Sequence, residues 1–199
     1  MKQWTVLLAL VLSSSAFAQE ETVFDSGNIE HGGYGAFVVG FTSVNNEFGA
    51  LVGARGGWII NHTFVVGMGA YGIGNNVHSL VEGPLGERFV NIGYGGLDLE
   101  FIVNSDAIVH WSFHTLLGGG SVGFRGGRDD VRGFDMNNQE GDDFFLVEPG
   151  INLDLNVTTW FRASGGVRYR YVSGVTTEAS TNANLTGTTA VLTLRFGKF

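Results

Sequence analysis

The sequence predicts an all-β fold, a closed antiparallel barrel of eight strands that run up and down in chain order. Three observations carry this prediction. Apolar and polar side chains alternate along eight segments, short and long connections alternate between the segments, and charged side chains fall on one face of the strands. The composition agrees, because 32 glycines, only 2 prolines and no cysteine in 199 residues suit a β protein without disulfides.

The first eighteen residues have the pattern of a secretory signal peptide. An early lysine precedes a short apolar run over 4–12, and an A-x-A cleavage motif ends at Ala18. The apolar run is too short to span a bilayer as a helix. We therefore expect residues 1–18 to be removed, residues 19–31 to form an N-terminal lead, and residues 32–199 to form the barrel.

Eight segments of strand type follow, and most of them alternate an apolar face with a polar or glycine face. They cover about 33–43, 48–61, 63–74, 88–103, 107–124, 144–157, 161–172 and 188–199. The sixth is the clearest, since Phe145, Val147 and Ile151 take one side while Glu148 and Asp154 take the other. The third is apolar on both faces, so the pattern does not say which face points inward.

The connections alternate in length. The short ones lie near 61–62, 104–106 and 158–159, and the long polar ones lie at about 75–87, 125–143 and 173–187. The first connection, at Asn45-Asn46, is a short exception. Tight turns at one end and long loops at the other are the pattern of bacterial outer-membrane barrels, and an even number of strands places both termini at the tight-turn end.

Aromatic side chains collect near the tight-turn end, on faces assigned outward. They are Trp58, Phe101, Trp111, Phe161 and Phe196. Aromatic rings are favoured at membrane interfaces, so these positions predict one interfacial girdle.

Charged side chains occupy the face opposite the apolar band. The charged and titratable residues of this face are Arg55, Asp98, Glu100, His110, His114, Glu148, Asp154, Arg162, Arg168, Arg170 and Arg195. A charge that faces lipid costs about 2–4 kcal/mol at the midplane, so these side chains are expected to point inward. Eight strands enclose a lumen only wide enough for side chains. The sequence therefore predicts a transmembrane barrel whose polar lumen is filled by five arginines paired with four acids.

The turn positions also predict cross-strand neighbours. A turn centred on Ser105 places His110 opposite Glu100, and Ser112 opposite Asp98. A turn centred at 158 or 159 gives two registers for the sixth and seventh strands. These pair Glu148 with Arg168 or Arg170, and Asp154 with Arg162 or Ser164.

One stretch resembles a catalytic or nucleotide-binding motif. Residues 110–124, HWSFHTLLGGGSVGF, contain two histidines, and Gly118, Gly120 and Gly123 fit the G-x-G-x-x-G spacing. A dinucleotide loop opens a helix, whereas these glycines continue a strand, so the pattern does not predict a nucleotide site. No cofactor and no metal site is predicted, and the net charge of −8 gives no support to nucleic-acid binding.

Three stretches carry a resemblance to a known class. They are YGGLDLEFIVNSDAIVHWSFHTLLGGG (94–120), EPGINLDLNVTTWFRASGGVRYRYVSG (148–174) and the ending LTLRFGKF (192–199). The chain resembles the small eight-stranded outer-membrane β-barrels represented by the OmpA transmembrane domain and OmpX. More closely, it resembles a family of small bacterial outer-membrane barrels with no established substrate.

The resemblance implies a monomer in the outer membrane with both termini in the periplasm. Its partners would be outer-membrane lipids and, during biogenesis, the barrel-assembly machinery. The final Phe199 resembles the terminal aromatic of the assembly signal, and Phe196 is the last aromatic on the outward face. The apolar residues at 192, 194 and 196 stand one position out of the usual register with that terminus.

Three functions stay open at this point. The first is a structural or surface-interaction role, with the long loops exposed to the exterior. The second is a lipid-modifying enzyme of the lipid A deacylase or acyltransferase type, because His110 and Ser112 have the spacing of one such deacylase family. These two residues would, however, point into the lumen near the periplasmic end. The third is a narrow pore or ligand carrier, which requires an open lumen.

Overall fold

The computed structural model describes residues 29–81, 88–125 and 142–199. Eight antiparallel strands pair in chain order, and the eighth pairs with the first, which closes the barrel and confirms the predicted fold class. The strands are β1 His31–Val44, β2 Glu47–Ile60, β3 Phe64–Ile73, β4 Phe89–Val103, β5 Val109–Arg125, β6 Asp142–Asn156, β7 Phe161–Ser173 and β8 Gly187–Lys198. The predicted signal peptide, most of the lead and the loop 126–141 lie outside the described residues.

One short helix, α1 (Asn182–Leu185), lies in the connection between β7 and β8. Thr181 precedes it as the N-cap and accepts a hydrogen bond from the backbone N–H of Asn184. No helix in the described part of the chain is long and apolar enough to cross a membrane.

Left-handed asparagines form the tight hairpin turns. Asn45 and Asn46 have φ angles of 51° and 62°, the conformation of a two-residue turn whose twist matches that of the strands it joins. Asn61 and His62 adopt the same conformation between β2 and β3. Asparagine tolerates this region better than other residues that carry a side chain.

The predicted register of β4 and β5 is wrong. Glu100 faces His114 and Ile102 faces Ser112, so the partner of Glu100 lies four residues beyond the predicted His110. The predicted pair of Ser112 with Asp98 fails in the same way. The first residues of β5 pair with β6 alone, because the strand ends of a tilted barrel are staggered. The turn signal at Ser105 therefore did not mark the centre of the hairpin.

The register of β6 and β7 is one of the two predicted. Asp154 faces Ser164 and Gly150 faces Arg168, which places Glu148 at the level of Arg170. Regular pairing is interrupted at Glu148 and Pro149. Proline has no N–H to donate to the ladder, which accounts for a break at this point.

The barrel interior is built in three layers. At the tight-turn end, Phe199 packs against a small apolar cluster that includes Tyr34, Ile59 and Ile102. The middle layer holds the buried charged side chains other than Arg162, which lies beside Phe199 at the tight-turn end. Toward the long-loop end the interior is apolar, with residues such as Leu51 and Leu146. The prediction of a polar lumen therefore holds for the middle layer, while both ends of the lumen also contain apolar clusters.

The outer surface is apolar, and the structure also orients β3. Val65, Tyr71 and Ile73 of this strand point inward, whereas Val66 and Met68 are exposed. The aromatic residues predicted for the tight-turn end lie on the outer surface, where Trp160 and the rings of Phe161 and Phe196 stack together.

Candidate functional site

Glu100 is the centre of the first of two ionic clusters in the lumen. Its Oε1 atom lies 2.7 Å from Nη1 of Arg195, and its Oε2 atom lies 3.2 Å from Nη2 of Arg55. The hydroxyl of Tyr34 donates a further hydrogen bond to Oε2 at 3.3 Å. All four side chains are buried, so one carboxylate compensates two arginines out of contact with water.

The same arginines each reach a second acid. Arg55 lies 3.2 Å from Asp98, and Arg195 lies 3.1 Å from Asp154. His114 Nε2 lies 2.8 Å from Asp98, at the carboxylate oxygen that Arg55 does not contact. Arg55, Asp98, Glu100, His114, Asp154 and Arg195 are called the Glu100 network below. Its ion-paired members come mainly from β2, β4, β6 and β8, the alternating strands whose side chains share a layer in a small barrel.

Glu148 is the centre of the second cluster. Its Oε1 atom lies 3.3 Å from Nη1 of Arg168, and its Oε2 atom accepts a hydrogen bond from the Tyr94 hydroxyl at 3.1 Å. Nη1 of Arg170 donates to that same hydroxyl at 3.4 Å. These four residues are called the Glu148 network. Although Glu148 stands at the level of Arg170, its direct ion pair is with Arg168, one inward position nearer the tight-turn end.

Three inward tyrosines, which the sequence pattern did not mark as functional, complete the two networks. Arg55 and Arg195 lie over the ring of Tyr34, Arg168 over Tyr71, and Arg170 over Tyr94. A guanidinium on an aromatic face gains about 0.5–2 kcal/mol, which offsets part of its desolvation. Each of these tyrosines stands at an inward-facing position of its strand and has at least one glycine next to it in the sequence. This repeated pattern was the signal from which their place in the lumen could have been predicted.

Lumen glycines make room for these long side chains. A Cβ atom at Gly53 would lie 2.4 Å from the ring of Tyr71, and one at Gly150 would lie 2.7 Å from the stem of Arg168. A larger residue at either position would displace the side chain that lies over it. The high glycine content is thus part of how eight strands accommodate arginine and tyrosine.

The last predicted lumen residues lie toward the tight-turn end. Arg162 donates to the carbonyl of Ser105 at 3.5 Å, and its guanidinium lies 4.2 Å from the centre of the Phe199 ring. The Phe199 ring also stacks with Tyr34, at 6.3 Å between centroids. His110 contacts the carbonyl of Ala107 through Nδ1 at 3.1 Å and takes no part in the ion pairs of the described residues.

His110 and Ser112 do not form a nucleophile–base pair in this structure. The Ser112 hydroxyl donates to Asp154 at 2.6 Å, while His110 contacts the turn backbone. Both side chains are buried in the lumen. Nucleophilic catalysis needs the base within hydrogen-bond reach of the nucleophile. Among the described residues there is also no group of three or more potential metal ligands.

The long-loop end of the barrel is covered by its own connections. Asn45 donates from Nδ2 to the carbonyls of His78 and Ala179, and its Oδ1 accepts from the Ser180 hydroxyl at 2.7 Å. Ala179 and Leu185 are buried among the apolar side chains at the long-loop end of the lumen, called the upper lumen below. The described loops therefore form a lid over the mouth, and Asn45 ties two of them together.

No protein-family model matches the chain, and no curated protein matches it in sequence. Among solved structures, it is similar to the crystal structure of Neisserial surface protein A, with a TM-score of 0.58 and 13% identity over 86% of this chain and 99% of that one. It is also similar to Ail, the attachment invasion locus protein of Yersinia pestis, with a TM-score of 0.46 and 11% identity over 84% of this chain and 95% of that one. A major outer membrane protein from Thermus thermophilus gives a TM-score of 0.48 and 10% identity over 84% of this chain and 99% of that one.

At such identities the similarity concerns the fold. The chain has the fold of the small eight-stranded outer-membrane β-barrels, as its sequence resemblance predicted. The apolar outer surface is the surface that such a barrel presents to lipid.

Proposed function

We propose that the protein is an integral outer-membrane barrel with a structural or surface-interaction role, and that it presents its long loops to the exterior. The observation that carries the proposal is that apolar side chains lie outside and charged side chains inside, the reverse of a soluble protein. Phe37 is 69% exposed and Met68 is 72% exposed on the outside, whereas the ion pairs are buried inside. A soluble protein rarely exposes so continuous an apolar surface, and a bilayer removes its cost.

The lumen acts as an internal brace. Its charged layer lies between two apolar layers, and each mouth is covered by side chains of this chain. This closure favours a scaffold over a pore. It also disfavours a lipid-modifying enzyme, because His110 and Ser112 are enclosed and lie far along the strands from the long loops.

Biogenesis follows from the same proposal. We expect the barrel-assembly machinery to insert the chain as a monomer, with both termini in the periplasm. Phe196 faces outward and is available to that machinery, whereas Phe199 points into the lumen. In our proposal Phe196 therefore carries more of the assembly signal than the terminal residue does.

The location is tested by surface labelling of intact cells. The chain contains no cysteine, so single introduced cysteines are unambiguous reporters. Glu178→Cys lies in an exposed long loop, and Ile108→Cys lies in a tight turn and is 72% exposed. A membrane-impermeant thiol reagent should label the Glu178→Cys variant and leave the Ile108→Cys variant unlabelled until the outer membrane is opened. The reverse pattern would overturn the orientation.

Closure is tested by gel mobility and by conductance. A closed barrel satisfies its backbone hydrogen bonds internally and should migrate differently before and after boiling in detergent. Planar bilayers that contain the protein should show no stable conductance steps. Steps of uniform size would instead support the pore.

A further inference from the structure

The two lumen networks differ in their charge. The Glu100 network contains three acids for two arginines, and Arg162 lies nearby at the tight-turn end. The Glu148 network contains two arginines for one acid. An excess positive charge is therefore buried in the upper lumen, next to the apolar layer under the lid.

That excess charge lies at Arg170. The side chain is buried, and among the described residues no carboxylate lies within ion-pair distance of it. Its three hydrogen bonds to described residues go to neutral oxygens, the carbonyl of Leu185 at 2.7 Å, the Tyr94 hydroxyl at 3.4 Å and Thr42 Oγ1 at 3.5 Å. Burying a cation is costly unless it is paired, so this arrangement is an incompletely compensated one.

Leu185 supplies both a polar and an apolar group next to Arg170. Its carbonyl oxygen accepts the shortest hydrogen bond that Arg170 makes, and its side chain is buried in the apolar upper layer. An oxygen that binds the guanidinium and an adjoining apolar group are also the two parts of an amphiphile. Leu185 belongs to α1, within the lid, rather than to a strand of the barrel.

The lid is attached by hydrogen bonds, among them those from Thr176 and Thr177 to the Asp142 carboxylate. Asn45 and Ser180 fasten it at the rim, and Thr186 accepts a hydrogen bond from the Val172 N–H where the lid rejoins the barrel. Gly174, with a φ of 108°, begins the loop in a conformation that favours glycine. A loop with such attachments can open at lower free energy than the barrel itself.

We propose that Arg170, with Tyr94 and Thr42, is the head-group site for an anionic amphiphile, which enters when residues 174–186 lift. One negative charge is needed to balance the network, so the ligand class is a monoanionic carboxylate on an apolar chain. Its head takes the place of the Leu185 carbonyl and its chain takes the place of the Leu185 side chain. The proposal deepens the surface-interaction role and rests on it only for the direction in which the mouth faces.

The test uses the full mature chain in phosphatidylcholine vesicles with Ala179→Cys as the only cysteine. Ala179 is fully buried in the closed lid, so a thiol at this position is protected until the loop moves. Dodecanoate is the probe. We expect it to accelerate thiol labelling severalfold and saturably, because a ligand that binds the open state raises its population. Dodecanol has the same chain without the charge and should give no saturable effect.

Two matched variants decide whether Arg170 is responsible. In the Ala179→Cys background, Arg170→Met should abolish the response to dodecanoate. Arg162→Met removes an arginine without a direct carboxylate partner among the described residues, at the opposite end of the lumen, and it should retain the response. Arg170→Lys keeps the charge and should give a weaker response, which covers the case in which the methionine variant does not fold.

Asn45, which holds the lid at the rim, gives a further readout without ligand. In the same Ala179→Cys background, Asn45→Gly keeps the left-handed turn and removes the contacts with the lid. It should raise the basal rate of thiol labelling and lower the dodecanoate concentration that gives half of the full effect. The proposal is overturned if dodecanoate has no saturable effect, if dodecanol acts equally well, or if Arg170→Met responds like the parent. These measurements use purified protein, so their failure would leave the proposed cellular location untouched.

Discussion

The Glu100 and Glu148 networks lie in the same lumen but connect different parts of it. Glu100 joins Arg55 of β2 and Arg195 of β8, which crosses the barrel between strands that are not hydrogen-bonded neighbours of β4. The direct ion pair of Glu148 is with Arg168, on the neighbouring strand β7. The first network therefore braces the barrel, whereas the second reinforces one pair of strands and leaves an arginine for the lid.

The difference matters for which end of the barrel can move. The Glu100 network lies near an end made of tight turns, where the chain has little freedom. The Glu148 network adjoins an apolar layer that the lid helps to complete. Rigidity at one end and an openable cover at the other are thus consequences of where the carboxylates stand along the strands.

The largest effect is expected from Glu100→Gln. The change leaves both Arg55 and Arg195 without their shared carboxylate in a buried site, and breaking a buried pair typically costs about 3–5 kcal/mol. The urea midpoint for unfolding in vesicles should fall sharply. Glu178→Gln, in the exposed loop, is the control and should leave the midpoint unchanged. Equal midpoints for the two variants would show that the Glu100 network does not brace the barrel.

Glu148→Gln should destabilise the barrel by less. Glu148 makes one direct ion pair with the described residues, and Tyr94 mediates its contact with the other arginine. Replacing Glu148 together with Arg168 and Arg170 by neutral residues should recover part of the loss, since no unpaired charge then stays buried. Glu178→Gln is again the control. A loss equal to that of Glu100→Gln would contradict the distinction between the networks.

Phe199→Ala tests the tight-turn end. The ring covers Arg162 and stacks on Tyr34, so its removal should cost about 1–2 kcal/mol through the lost cation–π and apolar contacts. Phe196→Ala is the matched change on the outer surface. We expect the first variant to lower the urea midpoint and the second mainly to reduce the yield of heat-modifiable barrel. If Phe199→Ala affected only the yield, the ring would serve assembly rather than closure.

Strand number and most side-chain orientations could be predicted from the sequence, because alternation is a local property of each strand. Register could be predicted only in part, as two alternatives for β6 and β7, since it depends on the stagger between strand ends. The turn at Ser105 shows how a local turn signal can mislead. The charged members of both networks were predicted as a set, but most of their partners were not. Glu148 forms its ion pair with Arg168 and not with Arg170, which stands at its own level, because long side chains reach past the facing residue.

The smallest effect is expected at the tight-turn surface, away from both networks. Glu30 Oε2 lies 2.6 Å from Nε2 of His62, and the Glu30 backbone exchanges hydrogen bonds with Asn61. The hydrogen bond and positive charge of His62, with a smaller contribution from Lys198, lower the pKa of the Glu30 carboxyl. A lowered pKa in the folded state means that the contact stabilises the fold above the carboxyl's ordinary pKa and is lost as the pH falls through the lowered value.

Both side chains are exposed, so the change should be confined to this corner of the molecule. We expect the NMR signal of the Asn61 amide to shift on acidification with a midpoint below the ordinary range for glutamate, and the shift to disappear in Glu30→Gln. The urea midpoint of the barrel should stay the same in that variant. A global loss of stability in Glu30→Gln would show that the segment before β1 contributes to closure, which would extend the brace beyond the Glu100 network.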